Sequence, residues 1–171
     1  ADATITTASL VNSGLYLTTA NDVTITTLDT AIVAGSGTGN YDLGAVASSV
    51  VETIQITTGS GDDAMDLDAG GGNDIYLVQT GDGADEVTAT DTNTGTVVNM
   101  GDGDDTFAPV AGGFTGTAVL GDGSDTLSLD NGGDYSSDGL VTGVEIISLE
   151  GTTAAGDVRM VRAMIMSPQG S

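Results

Sequence analysis

The chain has 171 residues, with Asp and Glu numbering 25 against 2 Lys and Arg, and a net charge of −23. So lopsided a balance resists compaction by self-repulsion and, with no basic patch to meet phosphate, excludes nucleic acid as a partner; the absence of Cys and His excludes disulfides, structural zinc and Cys–His or Ser–His catalytic groupings. Yet 39% of the residues are apolar, enough for one modest core, so the composition predicts a single folded domain whose acidity something cationic neutralises. No apolar run approaches the roughly 20 residues of a membrane span, which predicts no membrane insertion. A start at Ala1 without a basic and then apolar leader predicts a mature form or a fragment.

Residues 1–49 hold short Thr-rich runs, "ATITT", "GLYLTT", "DVTITT" and "TAIVAG", separated by Asn-Ser-Gly or Ala-Asn-Asp turns. They predict β-solenoid rungs without a metal motif. "GSGTGNYDLG" (35–44) reads either as a decayed motif turn, its first acid arriving late, or as a flexible linker. Pairs such as Thr24-Ile25-Thr26 do not repeat in register, and ordinary β-propensity accounts for them.

From residue 50 to 149 the organising signal is repetition. Gly59-Ser60-Gly61-Asp62-Asp63, Gly81-Asp82-Gly83-Ala84-Asp85, Gly101-Asp102-Gly103-Asp104-Asp105 and Gly121-Asp122-Gly123-Ser124-Asp125 are four copies of G-x-G-x-D, and Gly70-Gly71-Gly72-Asn73-Asp74 is a fifth. Asp63, Asp85, Asp105 and Asp125 are spaced by 22, 20 and 20 residues, while Asp74 lies 11 from each neighbour. Turns one period apart stack on one edge of a coil, and a half-period turn belongs on the other. Weaker turn signals fall on that opposite edge, at Asn93-Thr94-Gly95, Gly112-Gly113 and Asn131-Gly132-Gly133. After each motif Asp the chain alternates as a short strand, with Met65, Tyr76, Val87, Phe107 and Leu127 at the second position. Stacked rungs place Met65, Val87, Phe107 and Leu127 in one interior column; Pro109, lacking an N–H, predicts a strand end or an irregular rung. The fold class is therefore all-β, a parallel β-solenoid with its G-x-G-x-D turns along one edge.

Glycine at the first and third motif positions permits a tight curl that aims carbonyls inward, and the Asp adds a hard, charged oxygen. Calcium takes about 6–8 such oxygens. One turn cannot supply them and two stacked turns can, so the spacing predicts sites between Asp63 and Asp85, Asp85 and Asp105, and Asp105 and Asp125. Three ions of charge +2 would bring −23 to −17. The candidate metal-binding residues are Gly59, Gly61, Asp63, Asp74, Gly81, Gly83, Asp85, Gly101, Gly103, Asp105, Gly121, Gly123 and Asp125. Asp82, Asp102 and Asp122 read either as further ligands or as solvated charge.

These segments resemble the repeats-in-toxin (RTX) nonapeptide G-G-x-G-x-D-x-U-x, which forms calcium-binding β-rolls. The resemblance covers about residues 58–130. It implies that the motif Asp and turn carbonyls bind calcium between turns, and that the protein is secreted by a Gram-negative bacterium in one step and folds in external calcium. The first glycine is replaced by Thr58, Ala69, Thr80, Met100 and Leu120, and the strands are longer than a nine-residue repeat allows. The V-E-x-I-x-(I/L) rungs in "VVETIQITTGSGDD" and "VTGVEIISLEGTTAAGD" resemble RTX-type bacterial surface-layer and giant surface proteins more than toxins.

Three function classes remain. Glycoside hydrolysis by paired Asp is the weakest, since sugar sites favour aromatic or basic groups in a cleft, and here there are 4 Tyr, no Trp, and two Arg near the end. A calcium-folding and export region of a secreted enzyme, toxin or adhesin is the alternative. The expected function is non-catalytic: an extracellular structural protein that self-associates into a cell-surface layer, matrix or fibre. Residues 150–171 form a third segment, where "VRMVRAMIM" (158–166) holds both Arg. It reads either as a helical cap or as a strand that docks on a neighbouring acidic chain.

Overall fold

The computed structural model describes residues 53–68, 75–91, 94–130, 133–135 and 139–150, together with strand backbones at 3–5, 15–17, 22–25, 32–34, 40–42, 159–160 and 165–166. In chain order the strands are β1 (Ala3–Ile5), β2 (Leu15–Leu17), β3 (Asp22–Ile25), β4 (Ile32–Ala34), β5 (Asn40–Asp42) and β6 (Thr53–Thr57). They continue with β7 (Ala64–Asp68), β8 (Ile75–Asp82), β9 (Glu86–Asp91), β10 (Val97–Asp102), β11 (Thr106–Pro109) and β12 (Thr117–Val119). The last are β13 (Thr126–Asp130), β14 (Asp134–Tyr135), β15 (Leu140–Thr142), β16 (Ile146–Glu150), β17 (Arg159–Met160) and β18 (Ile165–Met166). Among the described residues there is no helix.

Successive strands from β1 to β13 alternate between two sheets. The first runs β1-β3-β5-β7-β9-β11-β13-β16 and the second β2-β4-β6-β8-β10-β12-β15-β18. Their pairing is parallel, so the chain is a parallel β-solenoid, with one strand from each sheet per rung. Parallel pairing of sequence-distant strands follows from the coil, since each rung returns the chain to the same edge before the next strand begins.

Alternation within the strands builds the core. Met65 pairs with Val87, Val87 with Phe107 and Phe107 with Leu127, all buried, which is the expected interior column. The facing column in the second sheet, Ile56, Val78, Val98, Ala118 and Val141, is in register and buried too. Tyr76 belongs to this second sheet, paired with Ile54. At the edge away from the motifs, Phe114 turns inward and meets Phe107 edge-on, with ring centroids 4.9 Å apart and planes at 72°, a favoured arrangement for the ring quadrupoles. Each fully buried large apolar side chain contributes roughly 1.5–3 kcal/mol. Pro109 is the last residue of β11, and the ladder resumes with the Val110 N–H donating to the Ala89 carbonyl at 2.9 Å.

The 158–166 segment supplies two short strands. β17 pairs with β14 in a separate two-stranded sheet and β18 with β15 at the end of the second sheet, so both pair within this chain.

Candidate metal centre

The G-x-G-x-D turns carry the chain from the second sheet to the first, between β6 and β7, β8 and β9, β10 and β11, and β12 and β13. The position before the first glycine is inward-facing: Thr58, Thr80, Met100 and Leu120 are all buried there. This accounts for the departure from the nonapeptide, because a core-facing site rewards a side chain. The two Thr satisfy their hydroxyls along the stack, Thr58 Oγ1 donating to the Thr80 carbonyl (2.6 Å) and Thr80 Oγ1 to the Met100 carbonyl (2.7 Å).

The glycines are required by the stacking itself. Gly101 and Gly103 have φ of +101° and +148°, and a Cβ on either would collide with the carbonyl oxygen of Gly81 or Gly83 one rung below. Gly81, Gly83, Gly121 and Gly123 have positive φ as well. Gly59 and Gly61 lie beneath Gly81 and Gly83 in the same stack. The Asp82 N–H donates to the Gly59 carbonyl and the Asp122 N–H to the Gly101 carbonyl, both at 3.0 Å.

The motif Asp residues form a buried ladder. Asp63, Asp85, Asp105 and Asp125 are only 2%, 2%, 1% and 0% exposed. In each step the carboxylate of one rung accepts the backbone N–H of the equivalent Asp one rung earlier. Asp63 N–H donates to Asp85 Oδ1 (2.8 Å), Asp85 N–H to Asp105 Oδ1 (2.9 Å) and Asp105 N–H to Asp125 Oδ1 (3.0 Å). The three expected pairs are thus neighbours in space. The second oxygens, Oδ2 of Asp85, Asp105 and Asp125, are buried without a hydrogen-bond partner. Asp74 lies outside the described residues.

Burial acts on these acids as it must. It pushes the Asp85 carboxyl up from its ordinary range, against the Thr80 hydroxyl and the Asp63 N–H, with the Asp62 charge adding to the rise. Burial raises the Asp105 carboxyl to about 6, against the Asp85 N–H, and the charges of Asp85, Asp125 and Asp104 push the same way. Asp125 is raised too, by burial first, opposed by the Asp105 N–H and reinforced by Glu145, Asp104 and Asp122. A row of ionised carboxylates with one oxygen each unsatisfied costs several kcal/mol per ion unless a proton or cation compensates.

Asp82, Asp102 and Asp122 are exposed and stacked in register, which is the placement of solvated charge. The fourth motif position holds a second, outer set that runs the opposite way. Asp62 Oδ1 accepts the Ala84 N–H and Asp104 Oδ1 the Ser124 N–H, both at 2.9 Å, so these acids reach forward one rung while the inner ladder reaches back. Sequence reasoning gave neither Asp62 nor Asp104 a role, although their place beside the motif Asp was visible. It also gave no ligand role to Glu145, the acid of the second V-E-x-I-x-(I/L) rung, whose Oε2 accepts the Asp125 N–H at 3.0 Å. The signal was present: Glu145 stands 20 residues beyond Asp125, one period on.

Among the described residues no three acidic side chains converge as a preformed metal-binding group. A cation between rungs would have to take its charge from carboxylate pairs and its remaining ligands from neutral oxygens. The buried Oδ2 atoms lacking donors are hard oxygens of the kind calcium binds, so the residues present fit that ion. Compared with protein-family models, curated proteins and solved structures, the chain shows no match.

Proposed function

We propose that this protein is a non-catalytic, calcium-stabilised β-roll of the RTX type, serving outside the cell as a structural unit of a surface layer, matrix or fibre. The observation that carries this reading is the ladder of Asp85, Asp105 and Asp125, buried with Oδ2 lacking a partner. A divalent cation between rungs would supply the missing counter-charge, holding the Asp63–Asp85, Asp85–Asp105 and Asp105–Asp125 interfaces together and making ion binding part of folding. An extracellular setting suits sites of modest affinity, about 10⁻⁴–10⁻³ M, as in other external calcium modules. The ladder carboxylates are buried between rungs. A groove of about 380 Å³ sits on the outer face of the second sheet and is lined by Gln55, Thr57, Leu77, Gln79 and Asn99 among others. That placement supports a scaffold over a hydrolase. Self-association is supported by Ile146, Ile147 and Leu149, large apolar residues left exposed on β16, the end strand of its sheet.

The test is a pair of measurements on metal-stripped protein with and without calcium. Circular dichroism melts should show the fold strengthened or restored by calcium, and electron microscopy should show ordered assemblies that chelator disperses. A spectrum and melting temperature indifferent to chelator would overturn the reading.

A further inference from the structure

We propose that Asp125 and Glu145 form a further calcium site, at the C-terminal end of the carboxylate ladder and outside the G-x-G-x-D motif. This rests on the calcium reading of the ladder and extends it to Glu145, which belongs to the V-E-x-I-x-(I/L) rung and not to the G-x-G-x-D motif. Glu145 stands where a motif Asp would stand. It directly precedes Ile146, which pairs with Thr126, as Asp125 directly precedes Thr126, which follows Thr106 in the same column. Its Oε2 accepts the Asp125 N–H at 3.0 Å, repeating the step by which Asp125 Oδ1 holds the Asp105 N–H at 3.0 Å.

The turn leading to it is shorter. Three residues (143–145) separate Thr142 from Ile146, where six (120–125) separate the paired Val119 from Thr126. The extra methylene of Glu spans the gap that a shorter turn leaves. The backbone there is pinned, because the Asp125 carbonyl accepts both the Glu145 N–H (3.1 Å) and the Ile146 N–H (2.9 Å).

What points to a ligand is Asp125 itself. It is fully buried, and its Oδ2 has no donor. Asp125 and Glu145 set carboxylates on successive rungs, and a hard divalent cation between them relieves both charges at once. Glu145 is exposed, so this site opens to water, and its calcium exchanges faster and binds more weakly than calcium between two buried aspartates.

Isothermal titration of the metal-stripped full chain with calcium chloride tests this, comparing wild type with Glu145→Gln and Glu145→Ala. The Gln oxygen still accepts the Asp125 N–H, and circular dichroism of the calcium-loaded variant checks that its fold is kept. Both variants should bind one calcium fewer per chain than wild type, the weakest class of site disappearing. If Glu145→Gln binds as many ions as wild type with unchanged affinities, Glu145 serves only as a hydrogen-bond acceptor and the inference falls. A wild-type chain that binds no calcium is a different outcome, and it overturns the underlying reading along with this one.

Discussion

Asp105 is the residue on which the ladder turns, since it borders two rung interfaces while its carboxyl is raised to about 6. Asp105→Asn keeps an oxygen for the Asp85 N–H and removes the buried charge. In metal-free buffer at pH 7 this should stabilise the fold by roughly 1–3 kcal/mol, whereas in millimolar calcium it should destabilise it and lose more bound ion than Asp63→Asn. Thermal melts in the two buffers read the sign, and shifts of the same sign in both would count against a cation site. The pH dependence follows from the same group. Between its ordinary value of 3.8 and about 6, the folded state holds more protons than the unfolded chain, so stability falls as pH rises through that window. Metal-stripped protein should therefore melt higher near pH 4.5–5 than at pH 7, and saturating calcium at pH 7 should remove the difference. The identity of the inner acids was legible because spacing alone stacks residues 20 or 22 apart. Their burial and the use of Oδ1 by a neighbouring N–H were not, since both depend on which way each Asp points once the turn has curled.

At the scale of a strand or turn, legibility followed local pattern. Strands after each motif were readable from alternation, and the column Met65, Val87, Phe107 and Leu127 from period. Tyr76 was harder, because its strand carries the same alternation but half a period away, and only pairing with Ile54 assigns it to the second sheet. The two-residue strands β17 and β18 were beyond local reading. Arg162 interrupts a period-2 face, a helical grouping of Met160, Val161, Met164 and Ile165 fits as well, and the choice is made by pairing with β14 and β15. The turns also differ among themselves. The outer carboxylate is present at Asp62 and Asp104 but replaced by Ala84 in the rung between, leaving the Asp85–Asp105 interface with fewer acids than its neighbours. Ala84→Asp supplies the missing acid, placed to take the Asp104 N–H. Its expected effect is a lower melting point without calcium and a higher one with it, widening the gap between the two by about 2–4 °C, as calorimetry in both conditions would show.

Across the whole molecule, stability is close to a sum over neighbouring rungs, because each rung touches only the one before and the one after. The charge of −23 is thus not diffuse. Much of it is stacked along one edge, in the inner ladder, the outer acids and the exposed Asp82, Asp102 and Asp122, where the proposed cations between rungs would relieve it locally. From Glu86 to Thr106 to Thr126 to Ile146 the first sheet advances by the same 20 residues at each step. A stretch that repeats by pure translation is a unit of length. A second copy of residues 86–105 inserted after Asp105 should fit without disturbing either neighbour, its Asp accepting the Asp105 N–H and donating its own to Asp125. Small-angle scattering should show a particle longer by about 4.7–4.9 Å, and calcium titration one more ion per chain. A protein built this way carries its own ruler, and evolution or an engineer can change its reach a rung at a time.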